Sequence, residues 1–357
     1  MVEVTDALST RRAFMARSAG ALAAVSGAGG LLAACGSSPA TQKAATSSSA
    51  ASGSSTVQVV NILPPQLGYA AEYIADIDGF FKKEGLDVKV NTARGSAPAI
   101  QAILSGTAML SWVGWLESVI DIANRGAPIT SVAFTGRRST LAIVSDKSKP
   151  LSKPQDFVGK RIGIPSEGGT SETTLDLMLA ANNVPLNKVP RQVTGFTPGT
   201  FELIKKGRIA GFVIGASQEE QFREAQPSST FLHTADYVTD GLNYITSQKS
   251  LQANKAQIQA YLRALKGAME QILADKDKGY PDTLKKLRSK YDFDELKKDS
   301  VAKAYLDFNV GSWVIDGQDK LLKTDPEKWK ATYDAAVKVK AAKGGVDVTK
   351  NVATGLV

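Results

Sequence analysis

Hydrophobic positions along this chain switch repeatedly between two periods, and the switching predicts alternating strands and helices. Val57-Gln58-Val59-Val60-Asn61-Ile62-Leu63 is apolar and β-branched, and Pro64-Pro65 stops it. Tyr69, Tyr73, Ile77 and Phe80/Phe81 then recur at three-to-four spacing, which predicts one helix ended by Gly85. A strand over 86–91 follows. Ser96 can cap a helix running to about residue 105. Next come a strand over 108–112, a helix over 117–124 and a strand over 129–134. This alternation argues a mostly parallel sheet covered on both faces.

The pattern then restarts. A strand over 140–145 has no helix after it. Beyond it lie strands over 161–164, 189–193, 210–214 and 230–233, with helices over 170–182, 201–206 and 218–225 between them. A returning strand over 243–247 precedes a helical tail. In that tail Ile258, Leu262, Leu265, Met269 and Ile272 make a helical stripe, and Asp325 before Pro326 marks a helix start. The expectation is an α/β protein of two lobes with a helical C-terminal region. The chain would cross between lobes near 137–145 and 234–246, which makes a two-segment hinge with a cleft. Lobe I would take 56–138 and 245–357, and lobe II 139–244.

The first 55 residues follow neither period. Ser9-Thr10-Arg11-Arg12-Ala13-Phe14-Met15 resembles a twin-arginine export signal, and Leu32-Ala33-Ala34-Cys35-Gly36 resembles a bacterial lipobox. Residues 1–35 therefore read as a lipoprotein signal peptide, with Cys35 the thiol that accepts the lipid. A membrane-spanning helix is the bland alternative, but the stretch is short and Gly-rich for one. Residues 36–55 hold eight Ser and five Ala, too little apolar surface to bury, and read as a flexible tether. The expected location is the outer face of the cell membrane, held there by the lipid.

Composition narrows the chemistry. Net charge is +8, but Lys and Arg are interleaved with Asp and Glu in late helical segments over 282–290 and 295–303. That pattern reads as solvated surface, not as a nucleic-acid stripe. With one Cys (Cys35) and one His (His233) in the whole sequence, a disulfide within the chain, a Cys/His metal cage and a Cys–His nucleophile pair all lack parts. No metal, no cofactor and no catalytic residue is expected. His233 itself reads as an ordinary strand-end histidine.

Four stretches carry a family resemblance. Ile77-Asp78-Gly79-Phe80-Phe81-Lys82-Lys83-Glu84-Gly85-Leu86-Asp87-Val88 resembles a hallmark of the solute-binding proteins of ABC importers. The branch is the nitrate/sulfonate/taurine and thiamine-pyrimidine (NMT1/THI5-like) one. Ile103-Leu104-Ser105-Gly106-Thr107-Ala108, Asp156-Phe157-Val158-Gly159-Lys160-Arg161-Ile162-Gly163 and Gly207-Arg208-Ile209-Ala210-Gly211-Phe212 match in the same order. The last has Ala210-Gly211 where the family commonly has Asp-Ala. The resemblance implies the type II periplasmic-binding-protein fold, a small-molecule ligand, and an ABC permease with its ATPase as partners of a monomer. The same family includes a pyrimidine-synthesising enzyme that relies on iron, histidine and a cysteine-rich motif, which this chain lacks.

Candidate ligand residues sit where strands end at the cleft. Pro165-Ser166-Glu167-Gly168-Gly169-Thr170-Ser171 links a strand to a helix. There Ser166, Gly168, Gly169 and Thr170 can hold an oxyanion through backbone N–H groups and hydroxyls, unless this is only a tight turn before a helix. The family resemblance implies that this loop takes part in ligand binding. Glu167 would repel an anion unless it points away. Trp112 and Trp115 flank Val113-Gly114; one is expected in the core, and Trp115 is the choice for the cleft. Gln66, Leu67 and Tyr69 occupy the matching edge, as do Gly95 and Ser96. Arg137, beside Arg138 at the first crossing, can pair with an anion, and Ala216 and Ser217 would close from across. The expected ligand is a small sulfonate, nitrate-like or related organic anion. The alternative is a thiamine-precursor pyrimidine or another flat heteroaromatic compound, suggested by the tryptophans and Glu167.

Overall fold

The computed structural model of the protein describes residues 55–357. The expected signal peptide, Cys35 and all but the last residue of the expected tether lie outside the described residues. β1 (Ser55–Asn61) opens two residues before the expected strand. Its Val57 and Val59 enter one apolar core and Val60 enters another. Side chains alternate between the faces of a strand, so both faces of this one are covered.

The helix expected across 69–81 is broken. A single 3-10 turn (Leu67–Tyr69) leads into α1 (Ala70–Ile77), and α2 (Phe80–Lys83) follows a bend. Gly79 makes the bend with φ of 71°, a left-handed conformation that costs glycine little. The apolar spacing runs through it, which is why periodicity alone reads one helix. Then come β2 (Leu86–Thr92), α3 (Ser96–Leu104), β3 (Leu110–Gly114), α4 (Trp115–Arg125) and β4 (Ile129–Gly136).

The second run holds β5 (Leu141–Asp146), β6 (Ile162–Ile164), α5 (Thr170–Ala181), β7 (Arg191–Val193), α6 (Glu202–Lys205), β8 (Gly211–Gly215), α7 (Glu219–Ala225) and β9 (Ser229–His233). After β10 (Leu242–Ser247) come α8 (Gln248–Ala253), α9 (Lys255–Asp275), α10 (Pro281–Lys290), α11 (Asp299–Trp313) and α12 (Pro326–Lys338). The helix expected over 295–303 starts later, because Asp294–Leu296 forms a 3-10 turn before α11. Asp325 caps α12 as expected, its carboxylate accepting the N–H groups of Glu327 and Lys328 at 3.0 and 3.2 Å.

Two five-stranded sheets result, ordered β2-β1-β3-β10-β4 and β7-β6-β8-β5-β9. β1 runs parallel to β2 and β3, and β6 parallel to β7 and β8, while β5 and β10 run antiparallel to their neighbours. The chain passes from the first sheet to the second after β4, and returns after β9. Where the two passages lie side by side, the hydroxyls of Ser139 and Thr234 are 2.7 Å apart. The α9 stripe Ile258, Leu262, Leu265, Met269 and Ile272 is buried in the core behind the first sheet. Among the described residues no helix is long and apolar enough to cross a membrane.

Candidate functional site

A cavity of about 870 Å³, mouth included, lies between the two sheets. The segments after β1 and β2 bring Gln66 and Ser96 to it, and β3 itself brings Trp112. Those after β6 and β8 bring Ser166, Thr170 and Ser217. The passages between sheets add Thr140 and Asp240, and α11 adds Tyr305 and Asn309 one helical turn apart. Trp112 is held in place: its indole N–H donates to Thr135 Oγ1 at 2.8 Å, and its ring meets Tyr69 edge-on at 5.3 Å. Tyr305 donates its hydroxyl to Gln66 Oε1 at 2.7 Å. Among the described residues no Lys, Arg or His lines this cavity.

Beneath it the two halves meet in a hydrogen-bonded seam. Thr170 Oγ1 donates to Glu117 Oε2 at 3.0 Å, and Ser96 Oγ lies 2.5 Å from the same Thr170 oxygen. Thr174 donates to Asp240 Oδ2 at 2.9 Å, while Asp240 Oδ1 accepts the N–H groups of Leu116 and Gly241. The approach is close enough to require glycine. A β-carbon on Gly95, whose φ is 102°, would sit 2.4 Å from Ser166 Oγ, and one on Gly114 2.4 Å from a Thr170 methyl. Burial pushes the Glu117 carboxyl up to about 8, against the opposing pull of the Ser96 and Thr170 hydroxyls; Asp121 and Asp240 push it further the same way. Burial likewise raises Asp240.

The cavity brings together Gln66, Ser96, Trp112, Ser166, Thr170 and Ser217 of the residues expected from sequence. Others fall elsewhere. Trp115, chosen for the cleft, is 1% exposed and packs on Phe134 with ring centroids 4.1 Å apart. β3 ends at Gly114, so Trp115 opens a helix and strand alternation no longer sets its direction. It is Trp112 that lines the cavity. Arg137 turns away, to the carbonyls of Lys320 and Lys323 and the carboxylate of Asp316, and is 7% exposed. Arg138 lies over the Phe308 ring. Leu67 and Ala216 are buried in apolar cores, and Tyr69 accepts the Leu63 N–H behind the cavity wall.

The 165–171 turn also differs from the expected oxyanion cradle. Gly168 is exposed and gives its N–H to Glu172 Oε2 at 2.7 Å; Gly169 is buried as the residue before α5. Thr170 spends its proton on Glu117. Glu167 is exposed and does not line the cavity. Ser96 opens α3 without capping it, its hydroxyl directed across the seam. His233 pairs with Glu219, which raises its pKa through that hydrogen bond. Sequence reasoning missed Phe196, Asp240, Tyr305 and Asn309. The Tyr305/Asn309 spacing was a signal for one helix face, but not for which face meets the cavity. Among the described residues no group of three or more His, Cys, Asp or Glu is placed to hold a metal ion.

Two sheets, two connecting passages and a cavity at the strand ends define the fold of the type II periplasmic binding proteins. The solved alkanesulfonate-binding protein SsuA of Xanthomonas axonopodis pv. citri, bound to MOPS, superposes with a TM-score of 0.66 at 14% identity, covering 84% of this chain and 99% of its own. The family model described as NMT1/THI5 like matches residues 66–278, and the chain belongs to that family. Curated relatives include the riboflavin-binding protein RibY of Chloroflexus aurantiacus, 26% identical over 222 residues, which are 60% of this chain and 62% of RibY. The formylaminopyrimidine-binding protein of Halalkalibacterium halodurans is 26% identical over 219 residues, 59% of this chain and 65% of the relative. The chain thus spans less than two thirds of the length of these relatives.

Proposed function

We propose that this protein is an extracytoplasmic solute-binding protein, not an enzyme, that closes around a small, uncharged, flat heteroaromatic compound of the pyrimidine-to-flavin class. The single observation that carries the ligand class is the cavity lining: Trp112, Phe196 and Tyr305 with neutral amides and hydroxyls, two buried carboxyls at or beneath the floor, and no cation. An anion entering it would meet no compensating positive charge. The N–H of Gly168 and the hydroxyl proton of Thr170, which an oxyanion needs, are already given to Glu172 and Glu117. The sulfonate or nitrate-like reading is therefore the second one, favoured only by the likeness of fold. The names of RibY and the formylaminopyrimidine-binding protein agree with the first.

In this reading the two passages flex, the halves shut on the ligand, and a permease with its ATPase takes it up unchanged. The twin-arginine and lipobox residues ending at Cys35 would export the chain and anchor it by lipid, and Cys35→Ser should leave it folded and unlipidated. A thermal-shift screen of the purified protein tests the ligand class. Riboflavin or an aminopyrimidine at 100-fold above its dissociation constant should add about 2.7 kcal/mol to stability, and taurine and nitrate nothing. The reverse result would restore the anion reading. A bound compound that leaves chemically altered would end the binding-protein reading.

A further inference from the structure

Behind the main cavity lies a second, smaller chamber of about 440 Å³, its opening to solvent included. Gly68, Trp112, Thr140, Leu242 and Asn309 line both, so the two are neighbours across a shared wall. The second chamber reaches into the core behind the first sheet, between α1, α9 and α11. Its walls are mostly apolar, with Ala71, Leu265, Met269 and Trp313 among them. A few polar groups are set into those walls. Ser312 is 2% exposed, yet its hydroxyl finds no partner among the described residues, and the same holds for the buried amide nitrogen of Asn309. Buried polar atoms are nearly always paired, and an unpaired one costs roughly 1–3 kcal/mol. Two such atoms on one helix, three residues apart and facing one chamber, mark the place where a polar guest completes the structure.

The chamber also defines the guest's charge. Glu72 forms part of its wall, and both its oxygens already accept hydrogen bonds, from Asn61, Tyr244 and Tyr261. Among the described residues no Lys, Arg or His lines the chamber. A phosphate or carboxylate there would meet an acidic wall and no cation. Resting on the ligand class proposed above, we propose that this second chamber is a subsite for an uncharged hydroxyl- or amide-bearing tail of the ligand, read by Asn309 and Ser312. The flat ring occupies the main cavity, and the tail reaches toward the second chamber along the residues that line both. Ligand choice within the heteroaromatic class is then made by the tail and not by the ring.

Titration calorimetry with matched probes tests this. One pair is riboflavin and lumiflavin, the same ring with and without its hydroxylated tail. The other is 4-amino-5-hydroxymethyl-2-methylpyrimidine and 4-amino-2,5-dimethylpyrimidine. In the pair that binds, the tailed member should bind at least tenfold tighter. Ser312→Ala removes the unpaired hydroxyl, and Ala71→Val narrows the chamber from the α1 side. Each should shrink that gap at least threefold and leave the tail-free probe unchanged. Equal affinity within the pair, or a gap that survives both substitutions, overturns the subsite while the proposed function stands. Riboflavin 5′-phosphate binding as tightly as riboflavin also overturns it. Binding of none of the four probes removes the proposed function, and the subsite with it.

Discussion

The core behind the first sheet and the seam between the two halves each bury a glutamate, and the two are held in opposite ways. Glu72 is enclosed by its own half: both oxygens accept hydrogen bonds, from Asn61 on β1, Tyr244 on β10 and Tyr261 on α9. Glu117 depends on the other half. One oxygen accepts from Thr170 of α5, and the other has no partner among the described residues. Burial raises both carboxyls. The difference teaches where motion can enter. Opening the halves leaves Glu72 untouched but exposes Glu117 to water, and with it Asp240, which the same seam buries against Thr174, so the seam carboxyls and not Glu72 couple their protons to closure.

The largest expected effect comes from breaking the enclosed site. Glu72→Ala strands the hydroxyls of Tyr244 and Tyr261 and the Asn61 amide, and should cost about 3–5 kcal/mol of unfolding free energy. A denaturant midpoint worth less than about 1 kcal/mol of change would show that Glu72 is no clamp.

The next effect sharpens the contrast through pH. The closed-state pKa of Glu117 is about 8 against an ordinary 4.5, so the closed form holds the proton more tightly than the open form. Closure is therefore most favourable below about pH 4.5. It weakens as pH rises to about 8, by at most about tenfold in affinity per pH unit, and is flat above. Calorimetric ligand affinity from pH 5 to 8 should fall, and Glu117→Gln should make the fall shallower, leaving the share that Asp240 contributes. A native protein with a level profile would uncouple Glu117 from closure.

Two smaller substitutions separate the regions. Thr170→Val removes the donor that crosses the seam and should weaken ligand binding by about fivefold, or ~1 kcal/mol, with little change in unfolding. Tyr261→Phe removes one donor to Glu72 and should do the reverse: about 1 kcal/mol of stability lost, affinity kept. If both act on the same quantity, the division between frame and seam is wrong.

Most strands and helices were readable from the chain because their signals are local. Val57 and Val59 alternate with Val60 in β1, the α9 stripe repeats at helical spacing, and Asp325-Pro326 starts α12 where it should. The break at Gly79 was hidden because apolar spacing continued through a left-handed glycine. The site was legible only in part. Gln66, Ser96, Ser166, Thr170 and Ser217 follow strand ends, Trp112 sits near the end of β3, and strand ends meet in this fold. Trp115 and Arg137 were misplaced because their directions depend on where β3 stops and where the 316–323 segment passes.

By itself the sequence determined the alternation of periods, the two passages between sheets and the family resemblance, all of which short-range spacing encodes. Only the tertiary structure decided that the cavity carries no cation, that Asp240, Tyr305 and Asn309 face it, and that Glu117 is buried against a hydroxyl from the opposite half. Those facts depend on residues more than fifty positions apart coming within hydrogen-bond reach, as Glu117 and Thr170 do. Charge and burial are properties of that meeting, and no window along the chain contains both partners.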